Sequence, residues 1–519
     1  MFIFVLLNKR LTIFDFMRNI YCLLTVLCVI VLTSCRNEFD FKPSTGGLEF
    51  SVDTVYLDTV FTNIGSSTYT LKVYNRSNED ISIPAIRLAK GTTSKYRIMV
   101  DGMSQNEGKI FNNVELLAND SLYIFIETTV DVAEANPTDF LYTDQILFGT
   151  ESNLQKVELV TLIQDAYFLY PRRDDNGEYE SIEIDGEDYY GFVLDHNDPV
   201  NGDEYVFGND KPYVIYGYAA VPSGETLVVE PGARVHFHDA SAIIVGNGAS
   251  MKAVGEYSLT EEEENQIIFE GDRLEPLFSD VPGQWSAIIL TPGSFGHIFD
   301  HVTIKNAVIG LYIQVTDVQI SNTQIYDCSN YGILAQTATI TGSNVVINTA
   351  GQAALACSYG GAYNFTHSTF NNNWSSSRQV ALYISNFIEG ADPLTQPLTE
   401  ATFNNCIIYG SNQIAMRLDK NPDAPFNYQF NSCLIKFNDP TNQFTEDPYD
   451  FNDTAHYNDN IFNENPKFYN ISRNMLFIDE TSPAFQQAND AFVVPQDIRN
   501  MTRTLPADIG AYKAAPFPE

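Results

Sequence analysis

One stretch of the chain repeats a short pattern of apolar and polar residues, and this repeat restricts the possible folds more than any other feature. Each unit has an apolar start, a β-branched run, a corner of Asn, Asp or Gly, and a second apolar run. The steps between unit starts are 21, 20, 25, 38 and 27 residues, and the long step contains the insertion "FIEGADPLTQPLT". One unit cannot bury its apolar side alone, so the units are predicted to stack as coils of a β-solenoid. The starts are Phe299, Ile320, Ile340, Phe365, Phe403 and Phe430.

Stacking brings like positions of successive coils into continuous ladders, which predicts where individual residues lie. Short amide and carboxylate side chains tolerate left-handed backbone, so Asn306, Asp327 and Asn348 are expected at corners. Cys406 and Cys433 occupy the same place in "FNNC" and "FNSC", which favours stacked free thiols, with a disulfide as the alternative. The residues expected to point inward or stack along one sheet are Val302, Ile304, Thr323, Ile325, Val345 and Ile347.

Longer stretches on both sides of the repeat carry a resemblance to a known family. The sequences "VVEPGARVHFH", "IIFEGDRLEPLFSDVPGQWSAIIL", "NPKFYNISRNMLFIDETSPAF" and "DIRNMTRTLPADIGAY" resemble the right-handed parallel β-helix lipoproteins of Bacteroidota, within the pectate-lyase-like group of folds. The resemblance implies a parallel β-helix over residues 220–440 and a closing segment over 441–519. It also implies that Pro231 and Gly232 begin a coil and that Trp285 starts a strand. The family's biochemical role is largely unassigned, so the resemblance predicts architecture rather than activity.

The amino-terminal segment has the features of an export signal. Residues 20–32 are uncharged and too short for a permanent membrane helix, which needs about 20 residues. The small residues before Cys35 resemble the lipobox of bacterial lipoproteins, which implies cleavage after residue 34 and lipidation of Cys35. Residues 1–34 are therefore expected to be a signal peptide, with Met17 as the possible true start, and residues 35–46 a lipidated tether. A lipid-anchored outer-membrane location is expected, facing the cell surface, with the periplasmic side as the alternative.

Residues 47–165 show a different pattern, in which short apolar and β-branched runs alternate with turn residues. Strands at this spacing predict a β-sandwich, and the block resembles the immunoglobulin-like spacer domains of bacterial surface proteins. The fold class is therefore predicted as all-β, a sandwich followed by the parallel β-helix. The sandwich strands hold no constellation of catalytic groups, which favours a spacer or docking module.

A strongly acidic stretch separates the two predicted domains. Residues 171–210 contain thirteen Asp or Glu, and residues 166–219 are interpreted as a solvated connector. Calcium is the alternative, because hard cations bind several carboxylate and carbonyl oxygens. The spacing of an EF-hand loop is not met, since Phe192 stands where its bidentate Glu belongs. No cofactor is therefore predicted, and calcium stays a possibility that the spacing does not support.

Charge and acid–base chemistry limit the function classes. The formal net charge of −37 argues against nucleic acid as a partner. Residues 306–377 contain no Lys or Arg, which suits a lyase of acidic polysaccharides poorly. Their acidic residues are Asp317 and Asp327, the candidates for a catalytic carboxylate pair, although corner positions are preferred for both. His236 and His238 alternate on a strand and are candidate metal ligands, but no third ligand stands at a fixed spacing, so surface histidines are preferred.

The coils are rich in aromatic and neutral polar residues, a composition that suits an uncharged sugar chain. Packed or corner tyrosines are the alternative interpretation. The favoured function is noncatalytic surface binding or adhesion, with a neutral glycan or a surface protein as partner. A polysaccharide lyase or glycoside hydrolase and a structural surface component are the alternatives. The candidate ligand-binding residues are Tyr331, Tyr359, Trp374 and Tyr383.

Overall fold

The computed structural model describes residues 40–104, 109–135, 140–174, 176–184, 186–390, 392–445 and 447–518. The predicted signal peptide and Cys35 lie outside these residues. The described chain is all-β, as predicted, and divides into two compact units near residue 163. It contains no helix long and apolar enough to cross a membrane. Its short 3-10 helices are Gly91–Thr93, Val132–Glu134, Glu151–Asn153, Pro276–Phe278, Ile471–Arg473 and Asp490–Phe492.

The amino-terminal unit is the predicted immunoglobulin-like β-sandwich. Alternating residues such as Leu71, Val73, Ile124 and Ile126 are fully buried, which is the period-two pattern of strands that face a core. One sheet contains Lys42–Pro43, Thr54–Phe61, Ile81–Leu88, Ile110–Leu116, Leu141–Phe148 and Gln155–Gln164. The antiparallel second sheet contains Glu49–Phe50, Tyr69–Tyr74, Tyr96–Val100 and Ser121–Thr128. The tether prediction is therefore wrong at its end, because Lys42–Pro43 already pairs with Ile81 and Ser82.

The second unit is a parallel β-helix. Along the chain, a coil passes in turn through a first, a second and a third sheet face. Its third face contains Tyr167–Leu169, Tyr213–Ile215, Arg234–Phe237, Ile267–Gly271, Val302–Lys305, Gln324–Cys328, Val346–Ala350, Thr369–Asn372, Ile407–Gly410, Leu434–Ile435 and Ile461–Phe462. Its second face contains Val206–Phe207, Thr226–Val229, Ser250–Val254, His297–Asp300, Asp317–Ser321, Leu398–Asn404, Gln429–Asn431 and Tyr457–Asn458. Its first face contains Glu187–Val193, Tyr218–Val221, Ala242–Val245, Trp285–Leu290, Ala307–Gln314, Val380–Ser385 and Met416–Asp419.

Two long strands join the first and second faces. Tyr331–Ser343 and Ala353–Thr366 run through both and change direction at Thr337 and Tyr359, whose φ angles are +51° and +56°. Successive coils pair in parallel along all three faces. Two antiparallel pairs sit beside them, Ser181–Ile184 with Glu187–Val193, and the hairpin Phe387–Ile388 with Leu394–Thr395.

Ladders of like residues fill the interior of the coils, and the six predicted inward residues are all fully buried. Phe365, Phe403, Phe430 and Tyr457 stack with ring centroids 5.7, 5.1 and 5.5 Å apart. Gly342 precedes this stack in register, and a Cβ there would lie 2.3 Å from the Phe365 ring, so the stack needs glycine at that position. The cysteines of the described chain are free and buried, and the Cys406 amide donates to the Cys433 sulfur at 3.4 Å.

The acidic segment 166–219 is not a connector, which corrects the prediction. Tyr167–Leu169 pairs with Tyr213–Ile215, and Glu187–Val193 pairs with Tyr218–Val221, so this segment forms the first coil. Leu169, Phe192 and Phe207 are buried in the same core as the later coils, while most of the carboxylates are exposed in turns. Sparse apolar residues at the right spacing suffice to build a coil, although the surrounding charge hides the pattern.

The predicted closing segment 441–519 has two parts. Tyr457–Asn458 and Ile461–Phe462 extend the second and third faces, so the strands continue past the predicted boundary at 440. Residues 466–518, here called the C-terminal cover, instead lie against the outer side of the third face. Leu476, Ile498, Ala511 and Tyr512 pack on Tyr326 and Val346, while Ile478, Ala484 and Ile509 pack on Ile407 and Leu434.

Candidate functional site

The two carboxylates predicted as a weak catalytic pair lie on different faces. Asp317 begins a strand of the second face, is exposed, and accepts from the Gly296 amide at 3.3 Å. Asp327 lies at the corner that ends a strand of the third face, is 6% exposed, and accepts from Asn474 Nδ2 at 3.1 Å. Asn474 belongs to the C-terminal cover, so Asp327 fastens the cover rather than facing a ligand. Both residues therefore serve the coil structure.

The two histidines predicted as weak metal ligands differ in environment. His236 is buried on the third face, and its Nδ1 lies 3.3 Å from the Gly271 carbonyl. Burial lowers the pKa of His236, which favours the neutral ring. His238 follows the end of that strand, is exposed, and pairs with Asp272 at 2.7 Å. Across the described residues, no group of three or more His, Cys, Asp or Glu is arranged to hold a metal ion.

Of the four predicted ligand-binding aromatics, two have positions explained by local structure. Tyr359 occupies the corner between the first and second faces, and its carbonyl accepts from Thr337 Oγ1 at 2.6 Å. Trp374 lies in the turn that leads to the first face, where its carbonyl accepts from Ser411 Oγ at 2.9 Å. Neither residue is among those that line the two first-face clefts described below.

The other two aromatics lie together in one open cleft on the first face. Tyr331 and Tyr383 line a cavity of about 500 Å³, here called the Tyr383 cleft. Tyr383 points outward because its neighbours Leu382 and Ile384 belong to the interior core, and Tyr331 because a Cβ on its neighbour Gly332 would meet Ile347 of that core. Both residues are partly buried, so each keeps part of its surface accessible. The remaining lining residues are Gly351, Gln352, Ala353, Arg378, Val380, Glu389, Arg417 and Asp419.

Hydrogen bonds and charges fix the polar groups around these rings. The Tyr331 hydroxyl donates to Gln352 Oε1 at 2.6 Å, which directs the amide nitrogen of Gln352 away from the ring. Arg417 Nε donates to Asp419 Oδ1 at 2.9 Å, and this hydrogen bond raises the pKa of Arg417. Burial raises the pKa of Tyr383, so its hydroxyl stays protonated and able to donate. The cleft therefore offers two aromatic faces beside amide, guanidinium and carboxylate groups.

The charged residues of this cleft were missed by the sequence analysis. Tyr383 is in register with Arg417, and Ser385 with Asp419, so neighbouring coils bring the groups together. In the sequence these coils are separated by the hairpin insertion, which also supplies Glu389. The 38-residue step between coil starts marks the insertion, and it was the sequence feature that could have located this cleft. Insertions in solenoids fall on one side, often the binding side.

A neighbouring cavity extends the cleft toward the carboxyl end. Glu389, Arg417 and Asp419 also line a cavity of about 350 Å³, together with Lys420 and Tyr449. Lys420 Nζ lies 2.7 Å from Asp447 Oδ2, so opposite charges are paired here as well. Taken together, the described residues that line the two cavities carry three positive and three negative side chains, which suits an uncharged polar ligand better than a polyanion.

A second aromatic cleft lies on the same face nearer the amino end. Its cavity of about 430 Å³ is here called the Tyr312 cleft. Gln314 Nε2 donates to the Tyr312 hydroxyl at 2.9 Å, and that hydroxyl donates to Gln336 Oε1 at 2.9 Å. Among the described residues, those that line it include no Asp, Glu, Lys or Arg and are Ile184, Tyr189, Tyr218, Ile244, Ile289, Thr291, Pro292, Tyr312 and Gln314.

Comparisons with known proteins give no family for the chain. No family model matches it, and no curated protein matches it. Among solved structures, the catalytic domain of a GH87 alpha-1,3-glucanase (D1069A) in complex with nigerose is 11% identical over 72% of this chain and 81% of its own, with a TM-score of 0.18. The E. coli chaperone DraB is 14% identical over 24% of this chain, with a TM-score of 0.16. The matched region spans 57% of the chaperone's length.

Proposed function

We propose that this protein is a lipid-anchored outer-membrane protein of the cell surface that binds a neutral glycan on the first face of its β-helix. The observation that carries the proposal is the pairing of Tyr331 and Tyr383 in one open cleft. Pyranose rings present a C–H face that packs on aromatic rings, and their hydroxyls exchange hydrogen bonds with amide, guanidinium and carboxylate groups. Gln352, Arg417 and Asp419 supply those groups beside the two rings.

The anchor and the location rest on the sequence. The apolar run at residues 20–32 followed by Cys35 supports export and lipidation, and several acyl chains hold a protein firmly on a bilayer. In this proposal the sandwich acts as a spacer between the anchor and the β-helix, and the partners are the bilayer and an extracellular glycan.

A glycoside hydrolase is the second candidate, and one observation favours it. Glu389 and Asp419 both line the Tyr383 cleft, and most glycosidases use a pair of carboxylates on either side of the scissile bond. Arg417 Nε donates to Asp419 Oδ1 at 2.9 Å, which orients this carboxylate within the cleft.

One experiment separates these functions. The full chain, purified in detergent, is assayed for retention on neutral and acidic polysaccharides with and without calcium, and new reducing ends are counted in parallel. We expect retention on a neutral polysaccharide without new ends, and about fivefold weaker binding for Tyr383→Ala, since an aromatic contact contributes about 1 kcal/mol. Tyr170→Ala, which removes a half-exposed ring outside both clefts, is the matched control and should bind normally. New reducing ends that disappear in Asp419→Asn would show that the protein is a hydrolase rather than a noncatalytic binding protein. Neither retention nor new reducing ends on any polysaccharide would reject both functions.

A further inference from the structure

The two aromatic clefts belong to one continuous ladder of outward residues on the first face. Tyr312 is in register with Leu334, Leu334 with Ala356, and Ala356 with Tyr383. The ladder continues from Tyr383 to Arg417. Because parallel strands of successive coils are about 4.8 Å apart, Tyr312 and Tyr383 are separated by about 14 Å along the solenoid axis.

A second ladder runs beside the first and contributes aromatic residues to the same two clefts. It begins at Tyr218 in the Tyr312 cleft and reaches Tyr331 in the Tyr383 cleft. Its order is Tyr218, Ala242, Ala287, Ile309, Tyr331, Ala353 and Val380. From the coil of Tyr218 to that of Arg417 the first face spans seven coil steps, or about 34 Å.

The surface between the clefts is low and apolar. Leu334 is partly buried and reaches the surface, whereas Ala353 and Ala356 are only 2% and 0% exposed, so neither alanine side chain projects from the sheet. Gln336 lies beside this floor and uses its Oε1 atom for the Tyr312 hydroxyl, so its amide nitrogen is directed elsewhere. Between the two clefts, Leu334 and Gln336 therefore offer an apolar group and an amide at the surface.

From this register we infer that the ligand is an extended, unbranched neutral polysaccharide that lies along the solenoid axis and contacts both clefts at once. The inference rests on the proposed function and adds the class of ligand and its direction. Simultaneous contact with two sites on one rigid surface strengthens binding without stronger individual contacts. Affinity should therefore grow with chain length until an oligosaccharide spans from Tyr383 to Tyr312.

The test uses the detergent-purified full chain and size series of cello-, laminari- and malto-oligosaccharides, titrated calorimetrically. For the linkage that binds, we expect affinity to rise at least tenfold from the shortest to the longest member. Tyr312→Ala should remove that rise and leave the affinity for the shortest member unchanged, whereas Tyr383→Ala should weaken every length. Tyr170→Ala, which lies outside both clefts, is the matched control and should keep the full rise with chain length.

A second variant guards against an effect of Tyr312→Ala on folding. Leu334→Arg places a charged side chain between the clefts, one coil from Tyr312 and two from Tyr383, so it should abolish the gain with length while short members still bind. Affinity that does not depend on length, together with normal binding by Tyr312→Ala and Leu334→Arg, would overturn the extended track and leave a single-cleft glycan site. Absence of binding by all three series and by the neutral polysaccharides would overturn the proposed function itself.

Discussion

At the residue scale, Asp327 is a carboxylate whose burial disfavours its charged form. It lies at a coil corner with a φ angle of +53°, is 6% exposed, and accepts a hydrogen bond from Asn474 of the C-terminal cover. Burial raises the pKa of Asp327 to about 6, and the hydrogen bond from Asn474 offsets only part of that effect. In an unfolded chain the same carboxyl has a pKa near 3.9, so folding favours its protonated form.

We expect Asp327→Asn to stabilise the protein at neutral pH. The raised pKa means that Asp327 supports the fold below about pH 4 and that this support is lost as the pH rises through about 6. Asparagine keeps an oxygen for Asn474 and tolerates the left-handed backbone, so the free energy of unfolding should rise by up to about 3 kcal/mol at pH 7. Urea unfolding at pH 7 and pH 4 measures this, and the gain should nearly vanish at pH 4.

The exposed carboxylate of Asp317 provides the matched control. Asp317→Asn removes a carboxylate from the same coil and should change the free energy of unfolding by less than about 0.5 kcal/mol at either pH. An Asp327→Asn variant that is less stable than the unaltered protein at pH 7 would show that the carboxylate contributes favourably.

The corners show how far single residues can be predicted. Asn306 and Asp327 have φ angles of +65° and +53°, as expected for short polar side chains. Asn348 was expected at the next corner, but it lies in a strand, and Thr349 takes the corner with a φ angle of +58°. A β-branched residue disfavours that backbone, so its position follows only from the register with Asp327.

At the element scale, the C-terminal cover is fastened to the coils by polar groups as well as by apolar packing. Arg503 Nη2 donates to Asn344 Oδ1 and to the Gly510 carbonyl, both at 3.0 Å. Asn405 Nδ2 donates to His367 Nε2 at 3.1 Å, which leaves the proton on Nδ1 to face the Gly510 carbonyl at 3.3 Å. His367 must therefore be neutral for the cover to keep these contacts.

We expect the stability of the protein to fall in acid through His367. Burial lowers the pKa of His367 to about 3, against about 6.5 in an unfolded chain. Its contribution is thus complete above about pH 6.5 and is lost as the pH falls toward 3. His367→Asn carries no titrating group and suits a φ angle of +48°, so the difference in melting temperature between the two proteins should shift in the variant's favour from pH 7 to pH 4.

The comparison with the variant isolates His367 from other titrating groups. Asp327 acts in the opposite direction over the same range and is present in both proteins, so its effect cancels in the difference. A difference in melting temperature that is constant from pH 7 to pH 4 would mean that the ring is already solvated in the folded state.

Among the elements, the repeated coils were predictable and the cover was not. Coils of similar length place like residues in ladders, so Val302, Ile325 and Ile347 could be assigned to the interior from the pattern alone. The C-terminal cover follows no repeat, and its contacts with Tyr326 and Val346 join residues far apart in the chain. The Tyr383 cleft was half predictable, because aromatic residues stand out in the sequence whereas Arg417 joins them only through the register of the coil after the insertion.

At the scale of the whole molecule, the negative charge and the proposed lipid anchor have opposite effects on attachment to a membrane. A formal net charge of −37 is distributed over a chain that offers no attraction to anionic lipid headgroups. Attachment to a membrane would then depend on the lipid at Cys35, since each buried CH2 of an acyl chain contributes about 0.8 kcal/mol. Two or more acyl chains would outweigh the repulsion by a wide margin.

We therefore expect Cys35→Ser to release the whole protein from the membrane. Detergent-phase partitioning of cell extracts should place the unaltered protein almost entirely in the detergent phase, and mass spectrometry of its amino-terminal peptide should show a mass increase from acyl chains on Cys35. The variant should lose that mass increase and move to the aqueous phase, or accumulate as an uncleaved precursor. Cys28→Ser, within the apolar run of the signal, is the matched control and should partition normally. Detergent-phase partitioning of a processed Cys35→Ser protein would locate the membrane attachment elsewhere in the chain.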